Sequence, residues 1–386
     1  MKRALFLAGL FAALLLYPAF PVFAADGFGQ STTGGAGGTT VTATTAALLK
    51  SYVESTSTYI VQVSGTIDLN SVGGGVKIKS NKTIKGIGTN PKIIGRLGFT
   101  DGNSNIIIER LTITNLNYKE ADGISVKNTV TNLFITKCTI YDCNDGCIDI
   151  TNASDYVTVS WCKFYYTAAR GHNFVNLFSS SDDAIGDRGK LRITFHHNWW
   201  SALCDQRMPR GRFGQVHVYN NYYRCTGNLY CIGVGLESQI RVESNYFDSV
   251  TNAWYNPATT PGKIGWNSDN QFVNGTTIPT WAPNDYNTVF TPPYSYTLDD
   301  ANDIPAMVQS GAGADGNDFF PHWLFGPYGD FDRSGIVDAN DLKQFAENYW
   351  LVNDEEQIAD ADYNGDGIVN FYEFALLAEN WLKEEE

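Results

Sequence analysis

A repeat of strand-like segments is the feature that most constrains the fold of this chain. Seven such segments begin at Lys82, Ile106, Leu133, Val157, Ile193, Val216 and Ile240. Their spacing is about 24 residues, with one longer step between Val157 and Ile193, and repeats of this length are typical of solenoids. The segments alternate apolar and polar residues, are flanked by Asn, Gly and Ser, and show no helical period between them. Each unit is therefore predicted to be a coil of short β-strands.

Equivalent positions of the repeat carry similar side chains. The sixth residues of the units are Ile87, Leu111, Cys138, Cys162, Asn198, Asn221 and Asn245. The eighth residues are Thr89, Ile113, Ile140, Phe164, Trp200, Tyr223 and Phe247. Strands stacked about 4.8 Å apart would pack these columns as apolar, aromatic and amide ladders. The columns and the period together predict an all-β fold, a right-handed parallel β-helix, and not a β-sandwich.

The two ends of the chain differ from this repeat. Lys2 and Arg3 precede an apolar run at residues 4–17, and the small residues near Ala24 or Ala25 complete the pattern of a secretory signal. No other stretch is long and apolar enough to span a bilayer. We therefore expect domains at residues 1–24 (signal peptide), 25–325 (β-helix) and 326–386, and a secreted protein that is not membrane-spanning.

Charge is concentrated at the C-terminus. The net charge is −14, and residues 326–386 hold 16 acidic against 3 basic residues, a net charge of −13. Residues 25–325 are thus nearly neutral, which excludes the basic surface that a nucleic-acid partner needs. The chain has seven cysteines. In an exported protein this odd number leaves at least one thiol unpaired, and Cys225 and Cys231 are the expected local disulfide.

Several separate motifs resemble those of the extracellular pectate lyase family, and they occur in the family's order. They lie at residues 25–29, 33–38, 63–67, 155–161, 196–198, 206–210 and 290–296. The resemblance covers roughly residues 25–315. It implies a right-handed parallel β-helix, calcium-dependent cleavage of polygalacturonate (pectate) by β-elimination, and a secreted enzyme that we expect to be a monomer.

Two pairs of acids precede equivalent strands, so successive coils are predicted to place them side by side. The four residues are Glu120, Asp122, Asp145 and Asp149. Four carboxylates in one patch repel one another unless a hard cation lies among them; the alternative is scattered, solvated acids in loops. The resemblance implies that these four hold a catalytic calcium ion (Ca2+), and Asp142 is close enough in sequence to be a further candidate.

Three arginines that lie close together in the sequence must face an anion. Arg207, Arg210 and Arg212 form this cluster, and guanidinium groups bind carboxylates in a forked geometry. A solvated basic turn or a phosphate site would show the same spacing. The resemblance implies that Arg207 is the base that removes the C5 proton of the uronate and that Arg212 binds a substrate carboxylate. Arg210, between them, is also predicted to bind substrate.

One expected substrate-binding lysine is missing from the segment that follows residues 155–161. Arg170 or His172 is predicted to replace it. Where members of the family often have Asp-His, this chain has Thr136 and Lys137, which we interpret as structural. The adjacent His196 and His197 are also predicted to be part of the scaffold, since neighbouring strand residues point to opposite faces.

Two segments near the C-terminus match the 12-residue calcium-binding loop of EF-hand type. The first has Asp330, Asp332, Ser334, Ile336, Asp338 and Asp341 at the ligand positions; the second has Asp362, Asn364, Asp366, Ile368, Asn370 and Glu373. An amphipathic helix is predicted after each loop. A loop and exit helix, repeated once, resembles a dockerin domain, which implies a cohesin-type scaffold or a cell surface as partner. A merely structural calcium module remains the alternative.

Two other functions remain compatible with these patterns. A polygalacturonase would share the β-helix but hydrolyse its substrate with paired carboxylic acids; the arginine cluster beside an acid cluster argues against it. A non-catalytic pectin-binding or adhesive protein is the other alternative, because the substrate-binding lysine is missing.

Overall fold

The computed structural model describes residues 25–116, 121–256, 262–280, 282–315 and 342. Outside these residues lie the predicted signal peptide, Glu120 and, apart from Leu342, the C-terminal module at residues 326–386 with both predicted calcium loops. Within the described part, no helix has the length and apolar character needed to cross a membrane.

The regular secondary structure of the described chain consists mainly of short strands. In chain order these are β1 (Thr39–Ala43), β2 (Tyr59–Asp68), β3 (Gly75–Ile78), β4 (Lys82–Ile94), β5 (Arg96–Phe99), β6 (Ser104–Glu109), β7 (Thr112–Asn115), β8 (Ile124–Val126), β9 (Thr131–Thr136), β10 (Thr139–Cys143), β11 (Ile148–Ile150), β12 (Asp155–Ser160), β13 (Lys163–Tyr165), β14 (Asn176–Phe178), β15 (Arg192–His196), β16 (Trp199–Trp200), β17 (Arg210–Gly211), β18 (Gln215–Tyr219), β19 (Tyr222–Tyr223), β20 (Ile232–Val234), β21 (Gln239–Glu243), β22 (Tyr246–Asp248), β23 (Trp254–Tyr255), β24 (Lys263–Trp266) and β25 (Gln271–Val273). Two helices, α1 (Ala46–Val53) and α2 (Ile304–Gly311), and 3-10 turns at Gly27–Gly29, Leu69–Val72 and Ile185–Asp187 complete it.

The strands form two parallel sheets that wind into a β-helix. Strands β3, β5, β8, β11, β14, β17, β20 and β23 make an eight-stranded sheet, and the other 17 strands make the second sheet. A typical coil contributes two consecutive strands to the larger sheet and one to the smaller, as β12, β13 and β14 do. Each strand hydrogen-bonds to its equivalent in the next coil, which confirms the predicted parallel β-helix.

The predicted register is confirmed at the first position of every unit. Ile106 pairs with both Lys82 and Leu133, and the series continues to Val216 and Ile240 without a slip. The eighth positions also pair from Ile113 to Phe247. Thr89 is the exception, because Ile93 pairs with Ile113 in its place. The extra residues of β4 bend outward between these two positions, and the sequence interpretation did not allow for them.

Side chains that point inward fill the coil with stacked layers. The rings of Phe164, Trp200, Tyr223 and Phe247 stack with centroids 5.6, 4.6 and 4.5 Å apart. At the bend between the two strands of the larger sheet, Asn198 donates to Asn221 at 3.0 Å and Asn221 to Asn245 at 2.9 Å. These buried amides satisfy one another and nearby carbonyls, so the bend carries its polar groups into the core without leaving them unpaired.

Helix α2 covers part of the outer face of the larger sheet. Ile304, Met307 and Val308 pack against Trp161 and Tyr222 there. At the end of the helix, Lys137 donates from Nζ to the carbonyl of Gly311 at 2.8 Å, and the ammonium lies 5.2 Å from the centroid of Trp161. The buried lysine thus attaches the end of α2 to the coil, in agreement with a structural role.

The histidine pair is buried, but not as predicted. The rings meet, with His196 Nδ1 2.8 Å from His197 Nδ1, because His197 has a φ of 53° and turns the chain at the end of β15. His196 Nε2 contacts Asp26 at 3.0 Å and His197 Nε2 contacts Asp299 at 2.8 Å. The expectation of opposite faces is therefore wrong. The contacts with acids from the two ends of the described chain fit a scaffold role.

The predicted disulfide between Cys225 and Cys231 is also wrong. All seven cysteines are buried thiols. Cys225 Sγ lies 3.7 Å from the sulfur of Met208, and Cys231 Sγ accepts from Asn228 at 3.5 Å. Burial raises the pKa of Cys225 well above its ordinary value, so this side chain behaves as a small apolar group in the core.

Candidate active site

The candidate active site lies on the outer surface of the smaller sheet. Asp149 is the middle residue of β11, and the side chains of Ile148 and Ile150 on either side belong to the core, so the carboxylate faces outward. Asp149 pairs with Leu177 of β14, which pairs with Arg210 of β17. About 10 Å, two strand spacings, therefore separates their main chains, and the acid and the arginine share one surface.

Asp122 and Asp149 border one gap beside Gly146. A Cβ on Gly146 would clash with Asp149 Oδ1 and would lie 3.5 Å from Asp122 Oδ1. The Gly146 amide donates to Asp122 Oδ1 at 3.3 Å. Asp149 Oδ1, by contrast, is buried and has no hydrogen-bond partner in the described structure. A buried carboxylate oxygen without a donor is unfavourable, so this gap suits a cation.

The acids raise one another's proton affinity. Burial raises the pKa of Asp122 and Asp145 raises it further, whereas Lys127 lowers it. Burial also raises the pKa of Asp149 well above its usual range, and the charges on Asp122 and Asp145 add to this, against the opposing effect of Arg207. A bound divalent cation would reverse this trend by favouring the ionised carboxylates.

The structure brings the predicted calcium ligands only partly together. Asp122 and Asp149 share the gap, and Asp145 influences both, although its Oδ1 lies 3.0 Å from His172 Nε2. Glu120 lies outside the described residues. In the part of the chain that is described, no three His, Cys, Asp or Glu side chains form a ready metal-binding group. Even so, the unpartnered oxygen of Asp149 and an all-carboxylate donor set fit a hard, oxygen-preferring cation such as calcium.

Arg207 enters this surface from a bend before β17. It follows a single bridge between Phe174 and Gln206, has a left-handed φ of 64°, and its carbonyl accepts from the amide of Asn176 at 2.6 Å. Its guanidinium carbon lies 4.5 Å from the centroid of the Phe174 ring. A non-glycine residue with this φ is uncommon and is held by its surroundings. The backbone and the ring together fix where the guanidinium points.

The environment of Arg207 lowers the pKa of its guanidinium group. Burial lowers the pKa of Arg207, and the cation of Arg210 lowers it further, although Asp149 opposes the shift. Its Nε is buried and has no hydrogen-bond partner among the described residues. Both features favour a neutral guanidine relative to an exposed arginine.

Arg210 extends along the sheet over a glycine. It pairs with Gly233 of β20, and a Cβ on Gly233 would lie 2.6 Å from Arg210 Cγ and 3.0 Å from Cε2 of Tyr230. The Tyr230 ring is buried. Burial raises the pKa of Tyr230, while Arg210 and Arg207 lower it. The phenol therefore lies near both guanidinium groups, beneath the surface of the site.

Arg212, the predicted substrate-carboxylate ligand, is already bound to an acid. Its Nε donates to Asp182 Oδ1, and its Nη1 donates to the carbonyl of Ser179 at 3.2 Å. The Asp182 side chain is about half exposed, whereas that of Arg212 is mostly buried. A substrate carboxylate reaching Arg212 would have to replace this exposed aspartate.

Arg170 and His172, the predicted substitutes for the missing lysine, lie beside two different acids. Arg170 Nε is 3.7 Å from Asp142 Oδ1, and the His172 ring contacts the carboxylate of Asp145. Asp142 also accepts the amide of Thr167 at 2.9 Å. It therefore holds the loop after β13 and is separate from the gap shared by Asp122 and Asp149.

Three residues that the sequence interpretation missed contact this site: Lys127, 3.8 Å from Asp122 Oδ2, and the aromatic residues Phe174 and Tyr230. The long step between Val157 and Ile193 did indicate an insertion near Phe174. No spacing rule identified the ring inside it as the neighbour of Arg207, because that contact depends on the bend that precedes β17.

Comparison with known proteins shows which families this chain resembles. The family model described as pectate lyase matches residues 3–315, and the dockerin type I domain model matches residues 328–380. A pectate trisaccharide-lyase of Bacillus licheniformis is 33% identical over 310 residues, which cover 73% of this chain and 83% of that protein. One from Thermotoga sp. is 31% identical over 321 residues, covering 74% and 85%.

Solved structures show the same fold. A pectate lyase from Bacillus sp. N165 in complex with trigalacturonate has a TM-score of 0.59 at 27% identity, and the match covers 75% of this chain and 98% of that one. A pectate lyase bound to a hexasaccharide has a TM-score of 0.65 at 24% identity, with 75% and 96% covered. Together with the family model, these matches show that the chain is an enzyme of the pectate lyase family, followed by a dockerin type I domain.

Proposed function

We propose that this enzyme is a secreted, calcium-dependent pectate lyase that cleaves (1→4)-α-D-galacturonan by β-elimination and releases 4,5-unsaturated oligogalacturonides. The observation that supports this most directly is the shared surface of the smaller sheet. There, the unpartnered carboxylate of Asp149 lies two strands from Arg210. It is also near enough to Arg207 for the charge of the arginine to lower its pKa. An acid gap for a cation next to guanidinium groups suits an anionic sugar.

The reaction needs a base at C5 and charge stabilisation at the neighbouring carboxylate. The base removes the C5 proton, the electron pair forms the C4–C5 double bond, and the bond from C4 to the glycosidic oxygen breaks, with that oxygen taking a proton from water. Asp122, Asp145 and Asp149, together with Glu120, would hold the calcium ion. When bound, calcium would withdraw charge from the uronate carboxylate and so make C5–H more acidic.

In this proposal Arg207 receives the C5 proton on a guanidine nitrogen. Arginine is an unusual base because its ordinary pKa is far above neutral, and the lowered pKa of Arg207 reduces that mismatch. Arg210 and Arg212 would bind uronate carboxylates and position the sugar. Arg170 or His172 would contact a neighbouring sugar in place of the missing lysine.

The C-terminal module is proposed to dock the enzyme. The two calcium loops read from the sequence and the match to the dockerin type I model support a cohesin-type scaffold or a cell surface as partner. The signal sequence at residues 1–24 supports secretion. Binding of the full-length protein to a cohesin domain, with and without calcium, tests the docking proposal; equal capture of a chain ending at residue 325 would refute it.

The lyase proposal is tested by the absorbance of unsaturated uronide after the enzyme is added to polygalacturonate. A lyase produces this absorbance in proportion to the new chain ends. A polygalacturonase produces the ends without the absorbance, and a non-catalytic binder produces neither. Because a carboxylate and not its methyl ester would bind calcium, low-ester substrate should be preferred. Faster cleavage of fully methylated pectin would contradict that preference.

A further inference from the structure

A groove lies on the larger sheet, on a different face from the arginine and acid site. It has a volume of about 770 Å³, and its floor and walls include Lys92, Tyr141, Lys163, Tyr165, Ser201 and Asp315. We call it the lysine–tyrosine groove. All these side chains belong to the part of the chain that the structure describes, and none of them belongs to the arginine and acid site.

The groove forms where the described residues leave part of an outward-facing surface uncovered. Lys92, Thr112, Thr139 and Lys163 are successive residues of one outward column across β4, β7, β10 and β13. The same column continues into Trp199 and Tyr222, where α2 covers it. The bend of β4 at residues 88–91 forms one wall, and Ala314 and Asp315 line the other end. The covered half of the face is thus aromatic, and the open half is polar and cationic.

Among the described residues, the two lysines of the groove have no acidic partner. Lys92 donates from Nζ to the hydroxyl of Tyr141 at 2.6 Å, and the Lys163 ammonium lies 4.3 Å from the centroid of a ring of Trp199. Neither lysine forms an ion pair with any described residue. Tyr141 stacks on Tyr165 with ring centroids 4.9 Å apart and planes within 3°. The stacked pair lines the groove together with the two lysines, and Asp315, near Tyr165, adds one negative charge, so two cations and one anion share the groove.

These features select one class of ligand. The main chains of Lys92 and Lys163 are about 14 Å apart, but both side chains reach the stacked tyrosines: Lys92 Nζ lies 5.1 Å from the Tyr141 centroid and Lys163 Nζ 5.9 Å from the Tyr165 centroid. An anion with repeated charges would contact both ammonium groups. The hydroxyl groups of Thr112 and Thr139, between the lysines, and those of Tyr165 and Ser201, beside Lys163, offer hydrogen bonds that suit sugar hydroxyls. An acidic oligosaccharide meets both requirements, because it carries repeated carboxylates as well as hydroxyl groups.

We propose that the lysine–tyrosine groove is a second binding site for oligogalacturonate, distinct from the site that cleaves it. This inference rests on the proposed function for the choice of uronate as the acidic sugar. Tyr141 immediately precedes Asp142 and the turn that leads to Asp145 and Asp149. A polymer held in the groove would therefore stay close to the cleavage surface of the same molecule and raise its local concentration there.

The test is calorimetric titration of the full-length protein with hexagalacturonate in excess chelator. Chelation removes the cation that the cleavage site is proposed to need, so the groove should account for the remaining binding. We expect wild type to bind one hexamer and the double variant Lys92→Gln, Lys163→Gln to bind at least tenfold more weakly. The variant Lys92→Arg, Lys163→Arg should bind like wild type, because it keeps both charges, and a neutral hexasaccharide should not bind.

Lys85→Gln is the matched control, since Lys85 also lies on β4 but its Nζ is 3.8 Å from Glu109. It should leave binding unchanged. In calcium, the double glutamine variant should keep kcat on trigalacturonate and show at least a threefold higher KM on the polymer. If wild type does not bind hexagalacturonate in chelator, or if the glutamine and arginine variants bind it equally, the groove is not a binding site for oligogalacturonate. Absence of unsaturated product from wild type would instead contradict the lyase proposal. The titration in chelator would still decide whether the groove binds hexagalacturonate, because it does not depend on cleavage.

Discussion

The guanidinium carbon of Arg207 lies 4.5 Å from the centroid of the Phe174 ring. Phe174 belongs to the insertion that produces the longest step of the repeat, and it is joined to the chain before Arg207 by one bridge to Gln206. An irregular loop thus supplies the surface on which the proposed base rests. The regular coils supply the acids and Arg210, and the insertion orients Arg207 toward them.

Replacing this ring tests the orienting role. A cation–π contact of this kind contributes about 1 kcal/mol. If its loss raises the activation free energy by the same amount, kcat falls roughly fivefold. We expect Phe174→Leu to lower kcat by about this factor with KM on polygalacturonate nearly unchanged. Phe174→Tyr keeps the ring and should restore kcat. Steady-state kinetics of both variants, with equal thermal stability as the control, checks this; equal kcat in all three proteins would contradict it.

Calcium dependence follows from the gap beside Gly146. Asp149 Oδ1 has no described donor and Asp122 shares the gap, so removal of calcium is expected to abolish turnover. Asp149→Asn and Asp122→Asn should each raise the calcium concentration that gives half-maximal rate by about tenfold or more, because each removes one charged ligand. The measurement is rate against free calcium. Full activity in excess chelator would contradict the assignment of these acids.

The regular part of the fold was predictable because each coil repeats the same sequence pattern. Period and side-chain columns both follow from strand stacking, so the pairing from Ile106 to Ile240 could be read from the sequence. The pairing of Ile93 in place of Thr89 could not be predicted, because the residues that bend out of the coil in β4 do not follow the repeat. His197 shows the same limit: one left-handed residue after β15 turns its ring toward His196.

The site was predictable where it lies on the coil. Asp149 and Arg210 occupy one column, so their shared surface follows from the register. The neighbours of Arg207 were not predictable, because Phe174 and Tyr230 reach it from loops. The resemblance to a known family, and not spacing, singled out Arg207 from the other two arginines of its cluster.

The buried Lys137 is expected to make stability depend on pH. Burial, with a smaller effect from Arg110, lowers the pKa of Lys137 from 10.5 to about 7. Between these values the unfolded chain binds the additional proton, so the free energy of unfolding should rise with pH across this range. From pH 7 to pH 9 the free energy of unfolding should rise by about 2 kcal/mol.

Lys137→Met should remove this rise, since methionine fills the same space without a titrating group. It also loses the hydrogen bond to the Gly311 carbonyl, which costs about 1 kcal/mol at any pH. Chemical denaturation of both proteins at pH 7 and pH 9 measures the effect. An equal pH dependence in the variant would show that Lys137 is not the group responsible.

The C-terminal module is expected to bind two calcium ions and to fold because of them. Each predicted loop places several carboxylates around one glycine, and without calcium these charges repel. A fragment of residues 326–386 should be largely unfolded in chelator and helical in calcium by circular dichroism, while residues 25–325 keep lyase activity. Equal helix content in both conditions would refute metal-coupled folding. Loss of activity on removing the module would show that it is part of the enzyme.

Arg207 is proposed to take the C5 proton on a surface that it shares with the acids. Lysine keeps a positive charge at this position but is shorter and lacks the planar guanidine group. The most direct measurement is therefore the initial rate of unsaturated product formation from polygalacturonate by Arg207→Lys in saturating calcium. We expect kcat to fall by several orders of magnitude while substrate binding changes little, since the contribution of the base is confined to the transition state. A variant with kcat near that of wild type would contradict the account and would place the base elsewhere.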